Sequence, residues 1–294
     1  MAVTPASLEK HGLPKINGRT EVQGLERRLA IIRDRWGCAH INAASEHDVW
    51  FGQGFCHAQD RLWQMERTRR FARGTLSEVL GEALIPVDKY YRQLGLQRVS
   101  VRDFPQLNGE AQRILEAFSE GVNAAVASAR QMPPEFEVLG LEFEKWSPED
   151  SIAVWKTIFL TQTSDYTAKI FRAALARKLG AQALAILEPG YPEDGPVIIP
   201  PGATGKGLGE ELSSLLAEVN KVAPLSAPGA GSNNWVVDGT LTKSGMPLLA
   251  SDPHAVIQIA PVWYMNHLKT PEWEATGVNT PGVPGLLLFG HNEW

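Results

Sequence analysis

A run of small, flexible residues, Pro228-Gly229-Ala230-Gly231, ends abruptly at Ser232, and a strand-like run, Asn233-Asn234-Trp235-Val236-Val237, begins there. This junction divides the chain into two halves of different character. Before it, apolar residues recur mainly at helical spacing; after it, they alternate or cluster as in strands. Read alone, a serine at such a point is turn punctuation. It can also be the first residue of a new chain, once the bond before it is cut. An N-terminal serine carries its own base, because a free α-amine has a pKa of about 7.7–8.0 and exchanges protons near neutral pH.

The first half reads as follows. Leu29 to Asp34 and Cys38 to Ala43 form two strands around a turn at Arg35-Trp36-Gly37. Asp48 is placed to cap a helix that runs through Phe51, Phe55, Leu62 and Met65 and continues in helical style from Arg67 to Leu80. Asn108 or Glu110 opens another helix, with Ile114, Leu115, Phe118, Val122, Ala125 and Val126 on one face and Met132-Pro133-Pro134 as its stop. Ser147-Pro148 is a strong helix start, with serine as N-cap and proline at the first helical position. A further helix runs from about Thr167 to Leu179 and ends at Gly180. From about Glu188 to Gly231, prolines and glycines interleave as in a linker, with a short amphipathic helix over Leu212 to Val222. Past Ser232, strands are expected at Trp235 to Val237 and Pro247 to Ala250, with a turn at Lys243-Ser244-Gly245 between them. Further strands are expected around Val278, Val283 and Leu286 to Phe289. The class is α+β.

Composition excludes several functions. With 294 residues, 44% hydrophobic, 21% charged and a net charge of −5, the chain is globular and carries no footprint for nucleic acid or anionic membranes. The basic stretch Arg61 to Arg73, which holds Arg67, Arg69 and Arg70, is interrupted and flanked by Asp60, Glu66 and Glu78 and reads as a solvated, ion-paired helix face. No apolar run approaches the ~20 residues of a membrane span. The two cysteines, Cys38 and Cys56, have no metal-type spacing and read as small buried hydrophobes. Cys56-His57 is no catalytic dyad, because adjacent residues on a helix do not face each other. The seven histidines lack zinc spacing, no G-x-S-x-G elbow surrounds a serine, and Gly205-Lys206-Gly207 fails the phosphate-loop pattern.

What remains is a resemblance. Gly231-Ser232-Asn233-Asn234-Trp235-Val236-Val237, followed by Leu248-Leu249-Ala250-Ser251-Asp252-Pro253-His254, resembles the penicillin acylase family of N-terminal nucleophile hydrolases. Pro261-Val262-Trp263-Tyr264, Pro281-Gly282-Val283-Pro284-Gly285 and Phe289-Gly290-His291-Asn292 follow the same pattern. Upstream, Asp34 to Ile41, Gly54 to Met65 with Arg69-Arg70, Gly74 to Glu78, and Trp146 to Asp150 are similar to the family's small chain. The likeness covers about residues 25 to 294, in order.

The resemblance implies an αββα sandwich and a precursor that cuts itself between Gly231 and Ser232. Residues 1–195 would be the small chain, 196–231 an excised spacer and 232–294 the start of the large chain. Ser232 Oγ would attack an amide carbonyl of a penicillin-like or other N-acyl substrate, with its own amine as base. His254, at the family's spacing, would hold the serine or its amine and accept a hydrogen bond from Oγ; from the residues alone it also reads as an ordinary turn histidine. Trp155, Phe159 and Phe289 fall where members build the acyl pocket, and equally read as core. Members often bind calcium, and Asp165 is the local candidate ligand. Oxyanion donors and the other calcium ligands are expected past Trp294, so this length of chain is expected to be truncated and inactive by itself. An inactive homologue or ligand-binding fragment is the alternative; among enzymes, cephalosporin and acyl-homoserine-lactone acylases are the neighbours of the reading. The partners implied are the substrate and the two chains of one precursor. The first twenty residues carry no secretory signal, which reads as cytoplasmic by default, although members are often exported.

Overall fold

A computed structural model describes residues 14–162, 166–180, 231–255 and 258–292. The short helix expected at Leu212 to Val222, the spacer before Gly231 and Asp165 lie outside those residues.

The chain starts as a hairpin. Strands β1 (Ala30–Arg33) and β2 (Ala39–Asn42) pair antiparallel around a turn in which Asp34 Oδ1 accepts the N–H groups of Trp36 (2.8 Å) and Cys38 (3.0 Å). Helix α1 (Glu46–Arg73) follows. Its cap is Ser45, whose side chain accepts the Asp48 N–H; Asp48, expected to be the cap, sits one turn inside. It is fully buried, and its two oxygens accept the N–H groups of Glu26 and Arg27, both at 2.9 Å. The carboxylate is held there by the incoming chain, so it serves the segment before the sheet rather than the helix end. Gly74, at φ 64°, ends α1 by donating its N–H to the last turn.

Short helices α2 (Ser77–Leu80), α3 (Ile85–Leu94) and α4 (Leu96–Asp103) lead to α5 (Gly109–Ser128), capped by the Asn108 side chain at 2.8 Å from the Ala111 N–H. α5 ends before Met132-Pro133-Pro134, and α6 (Pro134–Val138) starts on that proline pair. α7 (Pro148–Gln162) begins where Ser147-Pro148 predicts, and α8 (Tyr166–Leu179) ends at Gly180, φ 84°.

α1 and α5 cross with their backbones in contact. A Cβ on Gly54 would lie 2.0 Å from the Phe118 carbonyl oxygen, and one on Gly121 would lie 1.9 Å from that of Phe51. Around this crossing pack Ala58, Leu62, Met65, Phe118, Val122, Phe136, Trp146 and Val154. A second apolar cluster joins α1 to the sheet through Ala39, Ile41, Val49, Cys56, Tyr264 and Leu268.

The sheet has the order β1-β2-β5-β6-β7, with β5 (Tyr264–Lys269), β6 (Glu274–Asn279) and β7 (Leu288–Asn292). β2 and β5 run parallel; the other neighbours are antiparallel. β3 (Ser232–Val237) and β4 (Leu248–Pro253) form a separate two-stranded sheet. The observed class is α+β, as expected. β5 was not anticipated, since its inward positions include the fully buried Asn266 beside Tyr264 and Leu268.

The arginine stretch of α1 is ion-paired, but its centre is not solvated. Arg69 is fully buried: it pairs with Glu66, reaches Asp150 Oδ2 at 3.2 Å and the Glu144 carbonyl at 3.0 Å, and lies 5.0 Å from the Trp146 ring centroid. Asp150 also takes Arg73 at 2.8 Å and the Ser147 N–H at 3.0 Å, so the α7 start and the arginine pocket share one carboxylate. Cys56 is buried and burial pushes its thiol up to about 12. Cys38, expected to be buried, is half-buried with its sulfur 3.6 Å from that of Met265.

The helix crossing gives a direct stability test. Gly121→Ala must push two backbones apart and is expected to cost about 3 kcal/mol in urea denaturation, the upper end of the usual range for overpacking. Gly109→Ala, where the nearest atom is the far end of the Arg113 side chain at 3.4 Å, is expected to stay within about 1 kcal/mol of the parent. Equal effects of the two changes would refute the backbone contact.

Candidate functional site

The Gly231–Ser232 bond lies at the open end of the β3–β4 hairpin. The hairpin forms because Trp235-Val236-Val237 and Leu248-Leu249-Ala250 are strand-formers, and the connection between them is rich in turn chemistry. Asp238 accepts the Thr240 N–H at 2.8 Å, Thr242 Oγ1 donates to the Met246 carbonyl at 2.7 Å, and Gly245 adopts φ 72°. Register pairs Ser232 with Pro253 and Asn233 with Asp252.

That register decides what happens to the Gly231 carbonyl. The His254 backbone N–H donates to its oxygen at 2.9 Å, and the Ser232 hydroxyl donates to the same oxygen at 2.8 Å. Gly231 and His254 therefore make the hydrogen-bonded rung. The next rung, Ser232 opposite Pro253, is a non-hydrogen-bonded one, where the missing proline N–H costs nothing. The His254 N–H is thus a donor aimed at an oxygen on which negative charge would develop during attack at the Gly231 carbon, and the Ser232 hydroxyl lies beside the same carbonyl.

The His254 ring has other partners. Its Nε2 lies 3.0 Å from Asp252 Oδ2 and 3.4 Å from Asn233 Nδ2. The ring-to-Oγ hydrogen bond expected from the sequence is not the one formed here. The Ser232 hydroxyl is satisfied by the preceding carbonyl, and the imidazole is drawn to the carboxylate two residues before it. Asp252 and Asn233 were not singled out in the sequence. The signal was available, since a hairpin register that brings His254 to Gly231 also sets Asn233 opposite Asp252.

The remaining expected site residues fall elsewhere. Trp155 and Phe159 are on α7, their rings 4.8 Å apart; Trp155 packs against the helical core and Phe159 is 48% exposed. Phe289 is on β7. Asp165 lies outside the described residues, and with it any test of calcium ligation there. Among the described residues, Glu26, His47 and Asp48 form the one group of three metal-capable side chains, but both Asp48 oxygens are already occupied by backbone N–H groups.

The family model described as penicillin amidase matches residues 28–294. The chain belongs to the penicillin amidase family. It is 38% identical over 288 residues to penicillin acylase 2 proenzyme of Pseudomonas sp. (strain SE83), covering 95% of this chain and 37% of that protein. It is 30% identical over 282 residues to acyl-homoserine lactone acylase QuiP of Pseudomonas aeruginosa, covering 94% of this chain and 33% of that protein. The chain thus spans about a third of the length of these relatives. Among solved structures, thermostable penicillin G acylase from Alcaligenes faecalis is 25% identical, with a TM-score of 0.48 over 60% of this chain and 98% of that one. No helix among the described residues is long and apolar enough to cross a membrane.

In this penicillin amidase family member, α1 grips the segment that leads into β7. Gln53 donates to the Gly285 carbonyl and accepts the Gly285 N–H, both at 2.9 Å. Asn279 donates to the carbonyls of Val283 (2.7 Å) and Gly285 (2.8 Å). His57 Nδ1 accepts the Gly282 N–H at 3.3 Å, which puts the ring proton on Nε2. The imidazole stands edge-on to Phe118 and Tyr264, fully buried. Burial, with a smaller push from Arg61, lowers its pKa from 6.5 to about 3, so it is neutral in the fold. The nearby Tyr264 phenol donates to Asp60, and burial together with Cys56 and Asp60 raises its pKa above the usual phenol value.

The sign of the resulting pH dependence follows from linkage. Between about pH 6.5 and pH 3, the unfolded chain binds a proton at His57 that the folded chain does not, so stability falls as pH falls, by about 1.4 kcal/mol per unit once well below 6.5. Urea denaturation at pH 7 and pH 5 is expected to show about 2 kcal/mol more loss for the parent than for His57→Gln. Matching losses would show that the ring takes up its proton in the folded state.

Proposed function

We propose that this chain is part of an N-acyl amide hydrolase made as a self-cleaving precursor, in which Ser232 is both the cleavage point and the nucleophile. The observation that carries the reading is the Gly231 carbonyl held by the His254 backbone N–H with the Ser232 hydroxyl beside it. In cleavage, Ser232 Oγ attacks the Gly231 carbonyl carbon, the bond from that carbon to the Ser232 nitrogen breaks, and an ester replaces the amide. The hydroxyl proton passes to the departing nitrogen. Negative charge that collects on the carbonyl oxygen during attack is met by the His254 N–H, already in place. Water then hydrolyses the ester, leaving a Gly231 carboxylate and a Ser232 with free hydroxyl and free α-amine.

The freed amine then acts as base for the same hydroxyl against an external amide. The acyl group passes to Oγ, the amine product leaves with the proton, and water releases the acid. His254 and Asp252 lie beside the new terminus and organise it. Phe159, half exposed against Trp155, offers an apolar wall for an acyl chain, and Phe289 belongs to the same pocket reading. The acyl donor class is read from the relatives' names: a penicillin-type side chain or the fatty acyl group of an acyl-homoserine lactone. A calcium ion held partly by Asp165 belongs to the same reading.

The test uses the full-length gene product. Intact mass is expected to show two chains, the larger beginning at Ser232, and N-acyl substrates to be hydrolysed. Ser232→Ala is expected to remain one uncut chain, with hydrolysis down by about 10⁴-fold or more. Turnover by that variant, or a cut at another bond, would overturn the assignment.

A further inference from the structure

On the sheet face turned away from α1, strands β2 and β5 bring two histidines together. His40 and His267 are register partners, and their Nδ1 atoms are 2.9 Å apart. The ring centroids are 5.0 Å apart with the planes at 78°. That separation is close to one hydrogen bond plus the two ring radii, so the nitrogens point at one another. Each outer nitrogen faces a carboxylate: His267 Nε2 lies 2.8 Å from Glu274 Oε1, and His40 Nε2 lies 3.8 Å from Asp34 Oδ2.

Counting protons shows what this row needs. It has two hydrogen bonds, His40 to His267 and His267 to Glu274, and beyond them His40 Nε2 stands 3.8 Å from the Asp34 carboxylate, an ionic rather than a hydrogen-bonded distance. Each hydrogen bond requires one hydrogen, because a carboxylate and an unprotonated imidazole nitrogen can only accept. Two neutral imidazoles supply two. With His267 Nε2–H on Glu274 and His40 Nδ1–H on His267, the His40 Nε2 lone pair is left facing Asp34. One additional proton, on His40 Nε2, sets a positive charge opposite Asp34 and leaves both hydrogen bonds intact. A second additional proton would set two N–H groups head to head across 2.9 Å.

We propose that His40 and His267 hold exchangeable protons as one unit, that the row accepts a single added proton on the side of Asp34, and that a second breaks it. The pair is thereby an acid-sensitive latch on the parallel β2–β5 seam. The surrounding charges fit a row that carries one positive charge. Asp34 has its other oxygen tied to the Trp36 and Cys38 amides, so it cannot turn away. Glu274 has its other oxygen on Lys269 Nζ, which tempers but does not cancel its pull on His267. Cys38 and Met265 flank the pair with sulfur in contact with sulfur, and His291 stands on the same rung beyond Thr276. The latch joins a strand before the Gly231–Ser232 junction to one after it, so acid would loosen the junction's two sides where they meet in the sheet.

The experiment is ¹⁵N-imidazole NMR on the Ser232→Ala chain between pH 8 and pH 4, which needs no cleavage and stands whether or not Ser232 is a nucleophile. The expected result is two coupled steps felt by both rings, with His267 in its Nε2–H form until the second step. Independent single titrations of the two rings, or His267 in the Nδ1–H form, would overturn the proposal. As a second readout, the stability of the parent is expected to fall more steeply through the second step than that of the His40→Gln/His267→Gln double variant. His57 is common to both proteins and cancels in the comparison; parallel curves would overturn the latch.

Discussion

The α1–α5 crossing at Gly54 and Gly121 is the contact on which the rest of the molecule is aligned. Helices that meet through side chains can slide or rotate by repacking. Helices that meet backbone to backbone have almost no such freedom, because the atoms in contact are fixed in the peptide framework. Once α1 is held this way, the directions of the side chains on its first part, up to the break in helical geometry at Arg61, are set. Ile41 and Leu268 of the sheet pack on one side of α1, and Phe118 and Val122 of α5 on another.

The same helix works through polar hooks as much as through apolar area. Asp48, Gln53, His57, Glu66 and Arg69 are all buried on α1: Asp48 reaches the approach to the sheet, Gln53 and His57 the lead into β7, and Arg69, paired with Glu66, the start of α7. Buried polar groups of this kind add little net stability compared with well-packed hydrophobes, but a wrong partner leaves a desolvated charge or amide unpaired. They therefore penalise misdocking strongly. In this fold the penalty protects the placement of loops whose own sequences, rich in proline and glycine, carry little packing information.

This division explains what could be read from the residues. Helices with ordinary caps and one apolar face, such as α5 and α7, were legible, and so were the β1–β2 hairpin and the β3–β4 pair with its turn. Arg69 was misread because its partner Asp150 lies 81 positions away and nothing local distinguishes a buried arginine from its exposed neighbours. Asp48 was misread for the same reason, since its partners are backbone groups of the incoming chain. β5 was hidden because a buried asparagine broke the expected apolar alternation. At the candidate site, Ser232 and His254 were singled out as candidates by resemblance and spacing, whereas the hydrogen bond between the His254 backbone and the Gly231 carbonyl required the strand register. Sequence patterns report side-chain chemistry; this contact is made by main chain.

The parallel pairing of β2 with β5 has a further consequence for how the molecule assembles. The residues it joins are 227 positions apart, whereas the hairpin and the helix–helix contacts close over much shorter stretches. Long loops close slowly and pair last. On an emerging chain, β1, β2 and the helical layer can settle first, leaving β2 as an open edge until residues 264–269 arrive. An unpaired edge is a template for other chains. The imidazole of His40 and the turn carboxylate of Asp34 stand on that waiting edge, polar groups that discourage the wrong strand from taking the place reserved for β5.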